Sequence, residues 1–225
     1  MKEQQPETLG SNHSLFNTNP EYDNPENIRV IFDYGGVIGV SSKDEVVARI
    51  ANDIGMDPNE VRQVIFENTI KMQKVSVSEE DLWKGISRGL KINNLDNLKH
   101  FWIETIKDTS KIDLDMLAFL EDLSGHYKLY LLSNSTQLYV YSPFRRVLNR
   151  VFSEEIYSCN TGFRKPEKKI YNLTLAKLHA QPEECVIIDD EPENLVYPLS
   201  IGMDAVLYKN LSDLRSSLSK KLVLK

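Results

Sequence analysis

Three short runs rich in β-branched and aromatic residues stop abruptly on polar side chains. Residues 28–32 end on Asp33, residues 127–132 on Ser133-Asn134, and residues 185–188 on Asp189-Asp190. Runs this short, with so little polar interruption, suit strands buried on both faces of a parallel sheet. From residue 111 onward they alternate with helical periods, as crossover helices between parallel strands require. Asp113 can cap a helix carrying Leu114, Leu117, Leu120 and Leu123 and ended by Gly125. A shorter strand is predicted at 155–158, followed by the loop Gly162-Phe163-Arg164-Lys165-Pro166. Pro166 suits the first turn of a helix that buries Ile170, Leu173 and Leu178. The 185–188 strand leads into a helix reaching Ile201, bent by Pro198 and stopped by Gly202. A strand at 205–208 and an amphipathic helix at 211–222 close the chain.

Between residues 42 and 110 the period is helical throughout. Val46, Val47, Ile50 and Ile54 share one face, with Gly55 as a stop. Pro58 opens a second helix with Val61, Val64, Ile65 and Met72. Ser78-Glu79-Glu80-Asp81 forms a capping box ahead of Leu82, Trp83, Ile86 and Leu90. Leu95, Leu98, Trp102 and Ile106 make a fourth stripe. The expected architecture is α/β: a doubly wound (Rossmann-like) parallel sheet, residues 28–41 and 111–225, with a small α-helical cap, residues 42–110, inserted after the first strand. Residues 1–27, rich in Asn and Pro and without period, read as a disordered tail.

The bulk properties exclude several functions. A formal charge of −6 argues against broad nucleic-acid or anionic-membrane binding, which needs basic surface. Cys159 and Cys185 match no metal or redox spacing, and the four histidines are scattered. No apolar run is long enough for a membrane span, and no signal-like pattern opens the chain. A cytoplasmic protein with reduced thiols is the expectation.

Ligands of doubly wound sheets gather at the carboxyl ends of the strands, where Asp33, Ser133-Asn134 and Asp189-Asp190 all fall. Asp33 before Gly35-Gly36 is by itself equally an ordinary turn; the other strand ends change its meaning. Carboxylates crowded on one edge repel, and a hard divalent cation such as Mg²⁺ relieves the repulsion. Lys165 brings a further positive charge, Ser133 a hydroxyl, and Asn134 a backbone N–H suited to phosphate oxygens. Nucleophilic carboxylate, cation and anion-binding turn together make a phosphoryl-transfer site.

The ordered set Phe-Asp33-x-Gly-Gly-Val, Leu-Ser133-Asn134, Arg-Lys165-Pro and Ile-Asp189-Asp190-x-x-x-Asn194 resembles the haloacid-dehalogenase-like (HAD) hydrolase superfamily over residues 28–210. The segment Val77-Ser78-Glu79-Glu80-Asp81-Leu82-Trp83 is similar to the helical-cap branch, which includes sugar-1-phosphate phosphatases and the phosphatase domain of soluble epoxide hydrolases. The resemblance implies that Asp33 is the nucleophile of an aspartyl-phosphate mechanism, with Lys165 beside it. It implies Mg²⁺ held by Asp33, Asp190 and the backbone carbonyl of Gly35. Ser133, Asn134 and Lys165 would hold the phosphoryl group, while Asp189 and Asn194 support the metal site. The expected partner is a small phosphorylated metabolite, a sugar phosphate for instance.

One position departs from the pattern. Phosphatases of this superfamily usually carry a second Asp, the general acid/base, two residues after the nucleophile; here that residue is Gly35. The main reading is therefore a Mg²⁺-dependent phosphatase. Its alternative is a phosphometabolite-binding or regulatory protein with weak or no turnover. A hydrolytic dehalogenase comes third, because such enzymes work without Mg²⁺ and lack an acidic pair like Asp189-Asp190.

Overall fold

The computed structural model describes residues 27–40, 43–74, 78–136 and 144–222. Residues 1–26, Val77 and the side chain of Met72 lie outside the described residues, and with them nearly all of the expected tail.

The run that ends on Asp33 forms the central strand, β1 (Arg29–Phe32). Beside it lie β4 (Lys128–Ser133) and β6 (Cys185–Asp189), with β5 (Phe152–Tyr157) and β7 (Asp204–Leu207) at the edges. The five-stranded order is β5-β4-β1-β6-β7, and every pairing is parallel. Phe32 stands opposite Leu131 on one side and Ile188 on the other, so three polar strand ends emerge at one level.

The alternation of side chains along β1 divides the core into two layers. Val30 and Phe32 join one apolar cluster with α5 (Leu114–Ser124), α6 (Arg145–Val151) and α9 (Leu211–Ser219). Ile31 joins the opposite cluster with α7 (Lys168–Leu178) and α8 (Pro192–Ser200). Helices on both faces make this a doubly wound sheet.

The helical stretch forms α1 (Lys43–Ile54), α2 (Pro58–Lys74), α3 (Glu79–Leu90) and α4 (Leu95–Thr109). These four bury their own apolar cluster, centred on Trp83 and Trp102, whose rings meet edge-on at 5.5 Å. The Ser78 side chain caps α3 by accepting from Asp81 N. Two glycines on one face of α3 let α2 approach closely: a Cβ at Gly89 would fall 2.4 Å from Val64, and one at Gly85 would fall 2.2 Å from Asn68. Entry and exit of the unit pair as a small antiparallel ribbon, β2 (Gly39–Val40) with β3 (Lys111–Ile112).

Several expectations need correction. Asp113 caps α5 and Gly125 ends it as expected, and Leu120 and Leu123 of the expected stripe are buried with Met116 and Phe119, but Leu114, at the first helical position, is 73% exposed. Strand β5 begins at Phe152 rather than residue 155, and residues 158–160 form a 3₁₀ turn. Pro166 precedes α7, which starts at Lys168, and the Lys165–Pro166 bond is cis. The last helix ends at Ser219, short of residue 222. The ribbon and α6 were not anticipated: two-residue strands carry no period, and the seven residues of α6 give barely two turns of pattern.

Candidate active site

Asp33 follows β1 directly, and its backbone N–H still donates to Ile188 O at 2.9 Å, so the sheet itself fixes it. The residue is 9% exposed. The Lys165 ammonium, 1% exposed, lies between two carboxylates: Nζ is 2.8 Å from Asp33 Oδ1 and 2.6 Å from Asp189 Oδ2. Asp189 is fully buried, and its other oxygen, Oδ1, accepts from Glu191 N and Asn194 Nδ2, both at 2.9 Å. Both oxygens of Asp189 are thus engaged by protein donors. Asp190 is exposed, and its carboxylate lies against the Cα of Gly36. A Cβ at Gly36 would fall 2.0 Å from Asp190 Oδ2, and the residue has φ +79°. Glycine is needed there on both counts.

Lys165 is aimed by Asn134. The Asn134 side chain accepts from Lys165 N at 2.8 Å through Oδ1 and donates to Lys165 O at 3.0 Å through Nδ2. The side chain of Asn134, in addition to the backbone N–H singled out from the sequence, therefore shapes the site. Ser133, 6% exposed, ends β4 beside it. Ser135 is pinned in turn by the fully buried Ser158, whose hydroxyl accepts from Ser135 N at 3.0 Å and donates to Ser135 O at 3.1 Å. Asn194 also reaches Glu191 Oε2 at 3.1 Å, and Tyr171 OH donates to its carbonyl at 2.7 Å.

Asp33, Lys165, Ser133, Asn134, Asp189, Asp190, Asn194 and Gly35 therefore meet at one edge of the sheet. Gly36, Ser158 and, from α2, Gln73 are additions. Ser158 carried the same signal as the others, a polar residue closing a strand. Gln73 carried none: it lies off the Val61–Ile65 stripe of α2, and only the packed fold shows it buried.

The charges do not balance. Three carboxylates, from Asp33, Asp189 and Asp190, offer oxygens within 4.8 Å of one another, against one ammonium. Burial, with the Asp189 carboxylate adding to it, raises the Asp33 pKa from 3.8 to about 6 despite the opposing Lys165. Burial pulls the Lys165 ammonium down, but Asp33 and Asp189 outweigh it and hold its pKa above the ordinary lysine value. Asn194 Oδ1 is buried without a hydrogen-bond partner among the described residues. Hard oxygen donors with surplus negative charge fit a divalent cation.

The family model of haloacid dehalogenase-like hydrolases matches residues 29–195. The flavin mononucleotide hydrolase 1 of Arabidopsis thaliana is 25% identical over 155 residues, 67% of this chain and 60% of that protein. The bifunctional epoxide hydrolase 2 of Sus scrofa is 26% identical over 211 residues, 84% of this chain and 38% of that protein. The chain thus spans less than two thirds of each of these relatives. Among solved structures, a predicted HAD-like family hydrolase from Porphyromonas gingivalis superposes with a TM-score of 0.71 at 21% identity, covering 88% of this chain and 98% of its own. A HAD family enzyme from Bacteroides thetaiotaomicron, solved in complex with magnesium and inorganic phosphate, gives 0.65 at 20% identity, covering 83% and 98%. At these identities the two structures establish the shared fold.

Proposed function

The chain belongs to the haloacid dehalogenase-like hydrolases, and from that premise we propose that it is a Mg²⁺-dependent phosphatase acting on a small phosphorylated metabolite, with sugar phosphates the favoured class. The observation that carries this reading is the buried Asp33–Lys165–Asp189 chain of ion pairs with Asp190 alongside. It supplies a nucleophilic carboxylate, a fixed cation and a place for a hard metal within one strand-end cluster. The activity of the Arabidopsis flavin mononucleotide hydrolase, and the magnesium and phosphate bound to the Bacteroides enzyme, point the same way.

In this reading an Asp33 oxygen attacks phosphorus, the bond from phosphorus to the ester oxygen breaks, and the ester oxygen leaves as the alcohol after taking a proton from water, so that Asp33 becomes an aspartyl-phosphate. Water then attacks phosphorus, releasing inorganic phosphate and restoring the carboxylate. Lys165 stays in its Asn134 clamp and stabilises charge on the phosphoryl oxygens, aided by the Ser133 hydroxyl and the Asn134 N–H. Asp189, with both oxygens engaged, positions Lys165, and Asn194 holds Asp189. Asp33, Asp190 and the Gly35 carbonyl would hold the metal, whose positive charge would offset the negative charge of the carboxylate and phosphate. Residues 42–110 serve as a cap over the strand ends. Buried free thiols at Cys159 and Cys185 suit a reducing, cytoplasmic setting, and among the described residues no helix is long and apolar enough to cross a membrane.

Gly35 favours a second reading, a phosphometabolite-binding protein with little turnover, and one experiment separates the two. Phosphate release is measured across a panel of phosphorylated metabolites with Mg²⁺, with EDTA, and with Asp33→Asn. Release that needs Mg²⁺ and is lost in Asp33→Asn is expected. Absence of release with Mg²⁺ across the panel favours the binding protein. A variant that keeps a tenth of the activity removes Asp33 as nucleophile.

A further inference from the structure

The helical unit sends one buried amide to the strand ends. Gln73, next to last in α2, is 6% exposed, and α2 lies against the turn at residues 158–160. Burying a primary amide costs free energy unless both its ends are bonded. Gln73 Nε2 donates to the Asn134 carbonyl at 3.4 Å. A carbonyl only accepts, so this contact fixes which end of the amide faces Asn134. The other end, Oε1, is buried and without a partner among the described residues. Such orphaned acceptors are rare in folded proteins. This one belongs to a side chain bonded to Asn134, the residue that clamps Lys165 beside Asp33.

An acceptor oxygen cannot hold a phosphate, because an ionised phosphoryl group offers only acceptors and negative charge. It can hold a donor on the organic part of the ester. We propose that Gln73 is a specificity-determining residue whose Oε1 accepts a hydrogen bond from a hydroxyl or N–H of the leaving group, selecting hydroxyl-bearing phosphoesters over plain alkyl or aryl ones. The inference rests on the phosphatase reading and extends it from the phosphoryl pocket to the leaving group. A site built to bond a hydroxyl loses more when the hydroxyl is missing than an apolar pocket does when one is added.

The test compares wild type with Gln73→Met, which keeps length and volume but has no amide. The kcat/KM is measured for phenyl phosphate and propyl phosphate, and for glycerol 1-phosphate, glucose 1-phosphate and flavin mononucleotide. Folding of the variant is read from its circular dichroism and urea midpoint, and the readout is the ratio of each hydroxylated ester's kcat/KM to that of the esters without a donor. At least one hydroxylated ester should fall by roughly tenfold or more, the loss expected for one buried hydrogen bond. A fall shared by all five esters, or by none, overturns the proposal and leaves the phosphatase reading standing. Wild-type protein that releases phosphate from none of them overturns both.

Discussion

The loop after Asp33 contains two adjacent glycines with opposite tolerance for a side chain, and the contrast makes Gly35→Asp a sharp experiment. A Cβ built on Gly35 meets no atom within 4 Å, and its φ lies outside the left-handed region. Its neighbour Gly36 has φ +79° and would place a Cβ 2.0 Å from Asp190 Oδ2. A side chain at position 35 is therefore accommodated without strain, and losing a glycine from the unfolded chain favours the fold by about 0.4–1 kcal/mol. The carboxylates of Asp33 and Asp190 nearby disfavour a second ionised carboxyl at this position. A positioned general acid contributes about 10²–10⁴-fold to rate, or roughly 3–5 kcal/mol of barrier. The help is greatest where the departing oxygen is a poor leaving group. Wild type should show kcat/KM falling steeply as leaving-group pKa rises across a graded series of aryl and alkyl phosphates. Sugar 1-phosphates should react faster than the matching 6-phosphates. Gly35→Asp should flatten that slope, gaining most on the alkyl esters. A flat series in wild type would refute the reasoning, since another group would then already supply the proton. A correctly folded variant with an unchanged slope would refute it equally.

Two further outcomes follow from the buried charges and thiols. Lys165→Met strands Asp33 and Asp189 without their cation, and breaking a buried pair costs about 3–5 kcal/mol; urea unfolding in EDTA should show a loss of that order, and an unchanged midpoint would deny the ammonium its structural part. Burial pushes Cys159 from 9.0 up to about 11 and Cys185 from 9.0 up to about 12. The thiolate is the reactive form, so native protein at pH 8 should resist iodoacetamide while urea-unfolded protein is alkylated at both sites. The folded state then holds more protons than the unfolded above pH 9, and stability should decline as pH climbs through that window; rapid native alkylation would contradict the burial argument.

The central strands were legible because burial on both faces leaves nearly uninterrupted apolar runs, as in Val30-Ile31-Phe32 and Cys185-Val186-Ile187-Ile188. The edge strand β5 starts three residues before its apolar signal because it pairs only with β4 and leaves Ser153 exposed and Glu154 half-exposed, which breaks the apolar signature at its start. Asp33, Lys165, Asp189 and Asp190 stood out because strand ends meet in space wherever the order is doubly wound. What the chain did not advertise is how Lys165 is aimed. The Asn134 clamp joins residues 31 positions apart, and the Ser158–Ser135 pair joins residues 23 apart. Neither spacing is periodic, so only the packed fold reveals them. Pro166 misled because a proline suits a first helical turn and a pre-helical loop equally well.

The two-residue ribbon between Gly39–Val40 and Lys111–Ile112 sets the point where the molecule can be rebuilt. Chain leaves and re-enters the sheet through hydrogen-bonded neighbours, so everything between behaves, for the rest of the protein, as a loop already closed at its base. Closing entropy grows only with the logarithm of loop length, about 0.6 kcal/mol for each doubling. Insertions, deletions and wholesale replacement between these anchors are therefore cheap for the strands that carry the carboxylates. The ribbon is a graft junction: over evolutionary time, or in a chimera, one helical segment can be exchanged for another while Asp33 and Lys165 keep their places.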